Sequence, residues 1–126
     1  MAIMHVIEFV GMQIIVHNYL NAYTINGMEM KLIWDEDKRI ANLEKHGLNF
    51  CDAGAVLESR YRLDITVTRG SEIRTQSLSY VTTCLYVLSV VHTDRNGIAR
   101  IISYRPASEQ ETEIYYEWIG SEQNDT

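Results

Sequence analysis

Proline occurs once in these 126 residues, at Pro106, and cysteine twice, at Cys51 and Cys84. Two thiols among apolar neighbours make no disulfide framework, and no second pair stands at metal-binding spacing. A reducing cytoplasm with two buried thiols is the expected setting. The chain has no glycine-rich phosphate loop, no His-Glu metal motif and no Gly-x-Ser-x-Gly elbow. Nothing therefore points to a redox or metal enzyme, and no cofactor or metal is expected. Long apolar runs are missing from the opening segment, MAIMHVIEFVGMQIIVHNYL. Within it the longest stretch free of charge or histidine is eight residues, Phe9 to Val16, far short of the roughly 20 that span a bilayer. No basic residue precedes that stretch, so it reads as neither a signal peptide nor an anchor.

Basic residues are absent again after Arg105, where six acids follow. Residues 1–59 carry four basic and eight acidic groups, so both ends are acidic. Residues 60–105 hold seven arginines against Asp64, Glu72 and Asp94, a local charge of +4 in a chain whose net charge is −6. The total argues against simple polyanion binding. The distribution allows a basic face for a polyanion or for a partner protein.

At 46% hydrophobic and 22% charged residues, this is the composition of one ordinary globular domain. Met28 to Trp34 reads as a strand. Asp35 offers an N-cap oxygen to a helix through Lys45, with Glu36 and Asp37 in the first turn, where the helix dipole favours anions. Ile40, Ala41 and Leu43 are expected to face the core, and Gly47 to take the left-handed position after the helix. Asn49 caps a second short helix with Phe50, Ala53, Val56 and Leu57 as its buried stripe. The period then changes to two: Tyr61, Leu63, Ile65 and Val67 alternate with Arg62, Asp64, Thr66 and Thr68, the pattern of a half-buried strand.

A turn at Arg69-Gly70-Ser71 leads to a second strand, Glu72 to Tyr80. Cys84 to Thr93 is nearly all apolar and reads as a central strand. Asp94-Arg95-Asn96-Gly97 is a hairpin turn before the last strand, Ile98 to Arg105. Ser108 and Glu111 form a capping box for a helix running through Ile114, Tyr115 and Trp118 to Gly120. The order β-α-α-β-β-β-β-α is α+β, a mainly antiparallel sheet with helices packed on it. Residues 28–120 make the compact domain. Residues 1–27 stand apart as an N-terminal extension whose apolar positions suit helix or strand equally, and residues 121–126 as a frayed tail.

Arginines, histidines, tyrosines and scattered carboxylates suit RNA cleavage without metal. One group takes the ribose 2′-OH proton, another protonates the 5′-oxygen, and cations stabilise the charge on phosphorus-bound oxygens. His92, ending an apolar strand, is the local candidate for proton carrier, because imidazole titrates near neutrality; the alternative is a ring that bonds the hairpin backbone. Arg105 sits where the last strand ends and can reach a site at the sheet rim. Arg100, five residues earlier, falls on the opposite face of an ideal strand. Arg74, between Glu72 and Gln76, is expected to face solvent. Lys45 and His46 either complement the negative end of their helix, an effect of about 0.3–1 kcal/mol, or form a second cationic edge of the site.

The segments WDEDKRIANLEKHGLNF (34–50) and VVHTDRNGIARIISYRPASEQETEIYYE (90–117) resemble BrnT, the toxin of the BrnT/BrnA type II toxin–antitoxin system. The features that match are Trp34-Asp35, Asn42-Leu43, Lys45-His46-Gly47, Phe50, Val91-His92-Thr93, Arg100-Ile101-Ile102-Ser103, Arg105, Ala107, Glu111 and Tyr115. The resemblance covers about residues 30–119 and implies a RelE-like fold, a metal-independent endoribonuclease, and a tightly bound DNA-binding antitoxin, BrnA-like, in a hetero-oligomer. Arg69 to Tyr80 matches only through Glu72 and Arg74, and residues 1–27 have no counterpart. Arg74, His92 and Arg105 are thus the expected catalytic set, with Lys45, His46 and Arg100 binding RNA. The second reading is a degenerate toxin that holds a DNA-binding antitoxin and adjusts operon repression without cutting RNA.

Overall fold

The structure, a computed structural model, describes the backbone of residues 5–9, 12–16, 22–25 and 28–123, and side chains from residue 30 to residue 121. Its strands are β1 (His5–Phe9), β2 (Met12–Val16), β3 (Ala22–Ile25), β4 (Met28–Asp35), β5 (Leu63–Arg69), β6 (Glu72–Val81), β7 (Tyr86–Arg95) and β8 (Ile98–Pro106). The helices are α1 (Glu36–His46), α2 (Gly54–Leu57) and α3 (Glu109–Gln123), with a 3-10 turn at Phe50–Asp52 before α2. One sheet runs β1-β2-β4-β8-β7-β6-β5, with β3 also on β4. From β4 onward the element order is the expected one, and the class is α+β. The β4–β8 pair is parallel; the others are antiparallel.

Local chemistry explains the boundaries. Asp35 accepts the Lys38 N–H at the start of α1, and Gly47, at φ 71°, returns its own N–H to the Leu43 carbonyl at 2.8 Å. Asn96 and Gly97 both have positive φ, 52° and 76°, the geometry a two-residue hairpin needs to match strand twist. The capping box closes reciprocally: Glu111 N–H donates to Ser108 Oγ at 3.1 Å, and Ser108 N–H to Glu111 Oε1 at 2.8 Å. Helix α3 continues past Gly120 to Gln123, so the predicted tail is partly helical; residues 124–126 lie outside the described residues.

The main core lies under the α1–α2 segment, where Trp34, Phe50, Val56, Leu88, Val90 and Tyr104 are almost wholly excluded from solvent. A smaller cluster of Leu78, Val87 and Tyr115 seats α3 on the other face of the sheet. Helix α1 departs from expectation, since none of its residues is buried, and Ile40 and Leu43 are 43% and 38% exposed. Hydrogen bonds secure it instead. The Asn42 carboxamide donates to the Tyr104 carbonyl at 2.7 Å and accepts the Tyr104 N–H at 3.2 Å, standing in for a neighbouring strand beside β8. Cys51 and Cys84 are free and half-buried rather than buried.

Candidate active site

Strand alternation decides which side chains can meet. On β6 it sends Glu72, Arg74 and Gln76 to the face that carries α3, and Thr75, Ser77 and Ser79 to the face under α1 and α2. On β7 the α3 face receives Ser89, Thr93 and Arg95; the opposite face receives Leu88, Val90, His92 and Asp94. Helix α3 covers only the end of its face near Leu63, Leu78 and Val87. The other end is lined by arginine.

Strand β8 contains the decisive irregularity. Ser103 pairs with Val91 and Ile101 with His92, so Ile102 is the extra residue of a β-bulge. A bulge reverses the alternation beyond it. Arg105, opposite Ser89, and Arg100, opposite Thr93, therefore emerge on the same face in spite of their odd separation. The register also brings Arg74, Arg95 and Arg69 to that face, so five arginines share it with Glu72. Asp64 and Asp94, the other two acids of the basic segment, point to the opposite face.

Carboxylates hold the guanidinium groups in place. Arg105 Nη1 and Nη2 donate to Glu111 Oε1 and Oε2 at 2.8 and 2.9 Å, a bidentate pair. Gln76 Nε2 donates to Glu111 Oε2 at 2.6 Å and to Ser89 Oγ at 3.0 Å. Hydrogen bonding by Arg105, aided by the Ser108 N–H and Gln76 and opposed by burial, brings the Glu111 pKa down to about 2. The same pairing raises that of Arg105. Further along the face, Glu72 Oε1 accepts from Arg100 Nη2 at 3.2 Å and lies 3.4 Å from Arg74 Nε. Those two arginines, Arg74 foremost, hold Glu72 below the usual carboxylate range. Arg74 is not solvent-facing as expected: its side chain is 18% exposed, and its buried Nε–H makes no hydrogen bond among the described residues. Sequence reading missed Gln76 and the clamping roles of Glu72 and Glu111, although the period-two series Glu72-Arg74-Gln76 was a usable signal.

His92 does not join the arginines. Its pairing with Thr75 puts it on the other face, fully buried. Its Nε2 lies 2.7 Å from Ser77 Oγ and its Nδ1 2.6 Å from Asp94 Oδ1. Ser77 also donates to Asp64 at 2.6 Å, and Asp64 is gripped by Arg62 Nε at 2.7 Å. Burial opposes ionisation of Asp64, but the hydrogen bonds from Arg62 and Ser77 outweigh it and lower its pKa. The sheet separates this polar chain from the arginine face. The expected meeting of His92 with Arg74 and Arg105 fails because neighbouring strand positions project to opposite sides.

Lys45 and His46 end α1 one turn beyond Asn42, whose carboxamide binds the backbone of Tyr104, the residue before Arg105. Desolvation lowers the His46 pKa first, and the charges of Lys45 and Arg105 add to it. The Lys45-His46-Gly47 triplet is thus a regular helix stop set within the electrostatic reach of Arg105. No group of three or more potential metal ligands is clustered among the described residues, and none of their helices is long and apolar enough to cross a membrane.

A small α+β domain with an arginine face half-covered by its last helix is a protein suited to a polyanionic ligand. The sequence model of BrnT, the ribonuclease toxin of a type II toxin–antitoxin system, matches residues 34–111, and the chain belongs to that family. Comparison with curated proteins gave no match. Membership makes this a ribonuclease toxin of a type II system, and it implies RNA as target and an antitoxin as partner.

Proposed function

We propose that the open arginine face is an endoribonuclease site that works without metal, with Arg74, Arg100 and Arg105 binding the scissile region of the RNA. The observation that carries the reading is the β8 bulge, which brings Arg100 and Arg105 to the side of Arg74. His46, rather than His92, is the proton carrier of this site, because α1 is tied through Asn42 to the β8 segment that carries Arg105, and His46 feels that charge. Neutral His46 takes the 2′-OH proton, the O2′–P bond forms and the P–O5′ bond breaks. Lys45 or water returns a proton to the leaving O5′. The guanidinium groups stabilise the additional charge on phosphorus-bound oxygens. Glu111 and Gln76 are positioning residues, which fix Arg105 in one orientation before RNA arrives.

Purified protein incubated with RNA in EDTA is expected to yield 5′-hydroxyl and 2′,3′-cyclic phosphate ends. Arg105→Ala is expected to slow cleavage by about a hundredfold, the scale of losing one charge-stabilising donor. Cleavage abolished by chelation overturns the metal-free mechanism. One observation favours a second reading, a toxin that binds its antitoxin without cutting: both outer nitrogens of Arg105 are already engaged by Glu111. Growth arrest on inducing the protein alone, relieved by Arg105→Ala, counts against it.

A further inference from the structure

Beside Arg100 the arginine face deepens into a cavity of about 430 Å3, lined by Ile33, Thr93, Arg95, Asn96, Ile98 and Arg100. Its volume falls in the range of small-ligand sites. The walls differ in chemistry. Ile33 and Ile98 come from β4 and β8, and Ile98 is 38% exposed although it is a large apolar side chain. Arg95 and Arg100 carry only hydrogen-bond donors. Arg100 spends one Nη2 donor on Glu72 at 3.2 Å, whereas Arg95 is exposed at the lip of the hairpin.

We propose that this cavity is a nucleobase subsite that receives a guanine of the RNA next to the scissile phosphate; it rests on the reading of the arginine face as an RNA site. A flat ring packed between aliphatic side chains removes Ile33 and Ile98 from water, and single-stranded RNA can splay a base out to reach them. Selection for guanine follows from the donors. A guanidinium fork needs two adjacent acceptors, which guanine offers at O6 and N7, whereas adenine offers N7 beside an amino donor. Arg100 belongs both to this wall and to the cluster with Glu72 and Arg74, so a base in the cavity is joined to a phosphate on the arginine row without a break. Glu72, the carboxylate beside Arg100, is already held by Arg74 and Arg100 and does not stand in the cavity wall.

The test is titration of the full-length protein with each of the four nucleoside 5′-monophosphates, followed by amide chemical shifts, alongside sequencing of the ends that the same protein cuts in a randomised RNA. Guanosine monophosphate is expected to move Thr93, Asn96 and Ile98 at millimolar concentration, and to bind about tenfold more weakly to Arg95→Ala. Ile98→Ala, which leaves every arginine in place, is expected to weaken it severalfold. In the RNA, the ratio of cuts beside guanine to cuts beside other bases is expected to fall in both variants. Protein that cuts RNA but shows no response of these amides to any mononucleotide overturns the subsite and leaves the nuclease reading standing. Binding of guanosine monophosphate here by protein that leaves RNA intact supports the subsite and sinks the nuclease reading. Amides that respond only to added antitoxin overturn the proposal and make the cavity a protein-docking surface.

Discussion

Two polar groups of the same small domain, one buried and one half-buried, have opposite uses, and single substitutions separate them. His92 is fully buried with polar partners on both ring nitrogens. Removing it takes one partner each from Ser77 and Asp94 and leaves a void, at about 2–4 kcal/mol. His92→Ala is therefore expected to lower the thermal midpoint sharply while the protein that remains folded still cuts RNA; loss of cleavage with an unchanged melting curve would return His92 to the chemistry. Glu111 acts through Arg105, and its pH behaviour follows from a folded-state pKa of about 2, below its ordinary 4.5. A depressed carboxylate stabilises the fold above the unfolded-state pKa and loses that effect as pH falls through the folded one. The stability gap between the wild type and Glu111→Gln is thus expected to be full above about pH 5 and to close towards pH 2. Because the pair is partly solvated, its size is on the order of 1–2 kcal/mol, readable from urea titrations at several pH values.

Among the elements, the turn between β6 and β7 contains avoidable strain. Leu85 has a φ of 64° and is 72% exposed, so it occupies the left-handed region without burying its side chain. A branched side chain there costs about 1–2 kcal/mol, part of which glycine returns as unfolded-chain entropy. Leu85→Gly is expected to raise stability by about 0.5–1 kcal/mol in a thermal or urea melt, without touching the arginine face. Strand β8 shows the reverse case, an irregularity with a use. Its extra residue, Ile102, lets one strand deliver Arg100 and Arg105 to the same side while Ile101 and Tyr104 remain in the core.

Across the whole molecule, a net charge of −6 coexists with an arginine-lined face because, apart from Glu72 and Glu111, most of the described acids lie on α1, along α3 and on the opposite side of the sheet. Short-range binding of RNA against that background is expected to be strongly screened by salt. With three phosphate-contacting arginines, a plot of log affinity against log salt has a slope of about −2 for single strands. Arg74→Ala, Arg100→Ala and Arg105→Ala are each expected to reduce it by about 0.7. Fluorescence anisotropy with a labelled RNA oligomer measures this, and unchanged slopes in all three variants would place the RNA on another surface. Three residues named for the site from sequence, Arg74, Arg100 and Arg105, do share one face, and His46 lies within reach of the Arg105 charge. His92 does not, since no linear pattern tells which side of a sheet a residue takes when its strand is apolar on both faces.

The sequence by itself determined the local grammar of the fold. Period-two alternation, the caps at Asp35 and Ser108, the left-handed Gly47 and the Asn96-Gly97 turn are all written in neighbouring residues, because each is settled by interactions a few positions apart. Only the tertiary structure decided the site. The bulge at Ile102, the separation of His92 from the arginines, the partial burial of Arg74 and the clamp of Glu111 and Gln76 on Arg105 depend on register between strands and on where α3 docks. Those are set by the competition of long-range pairings for one core, which short-range patterns do not encode.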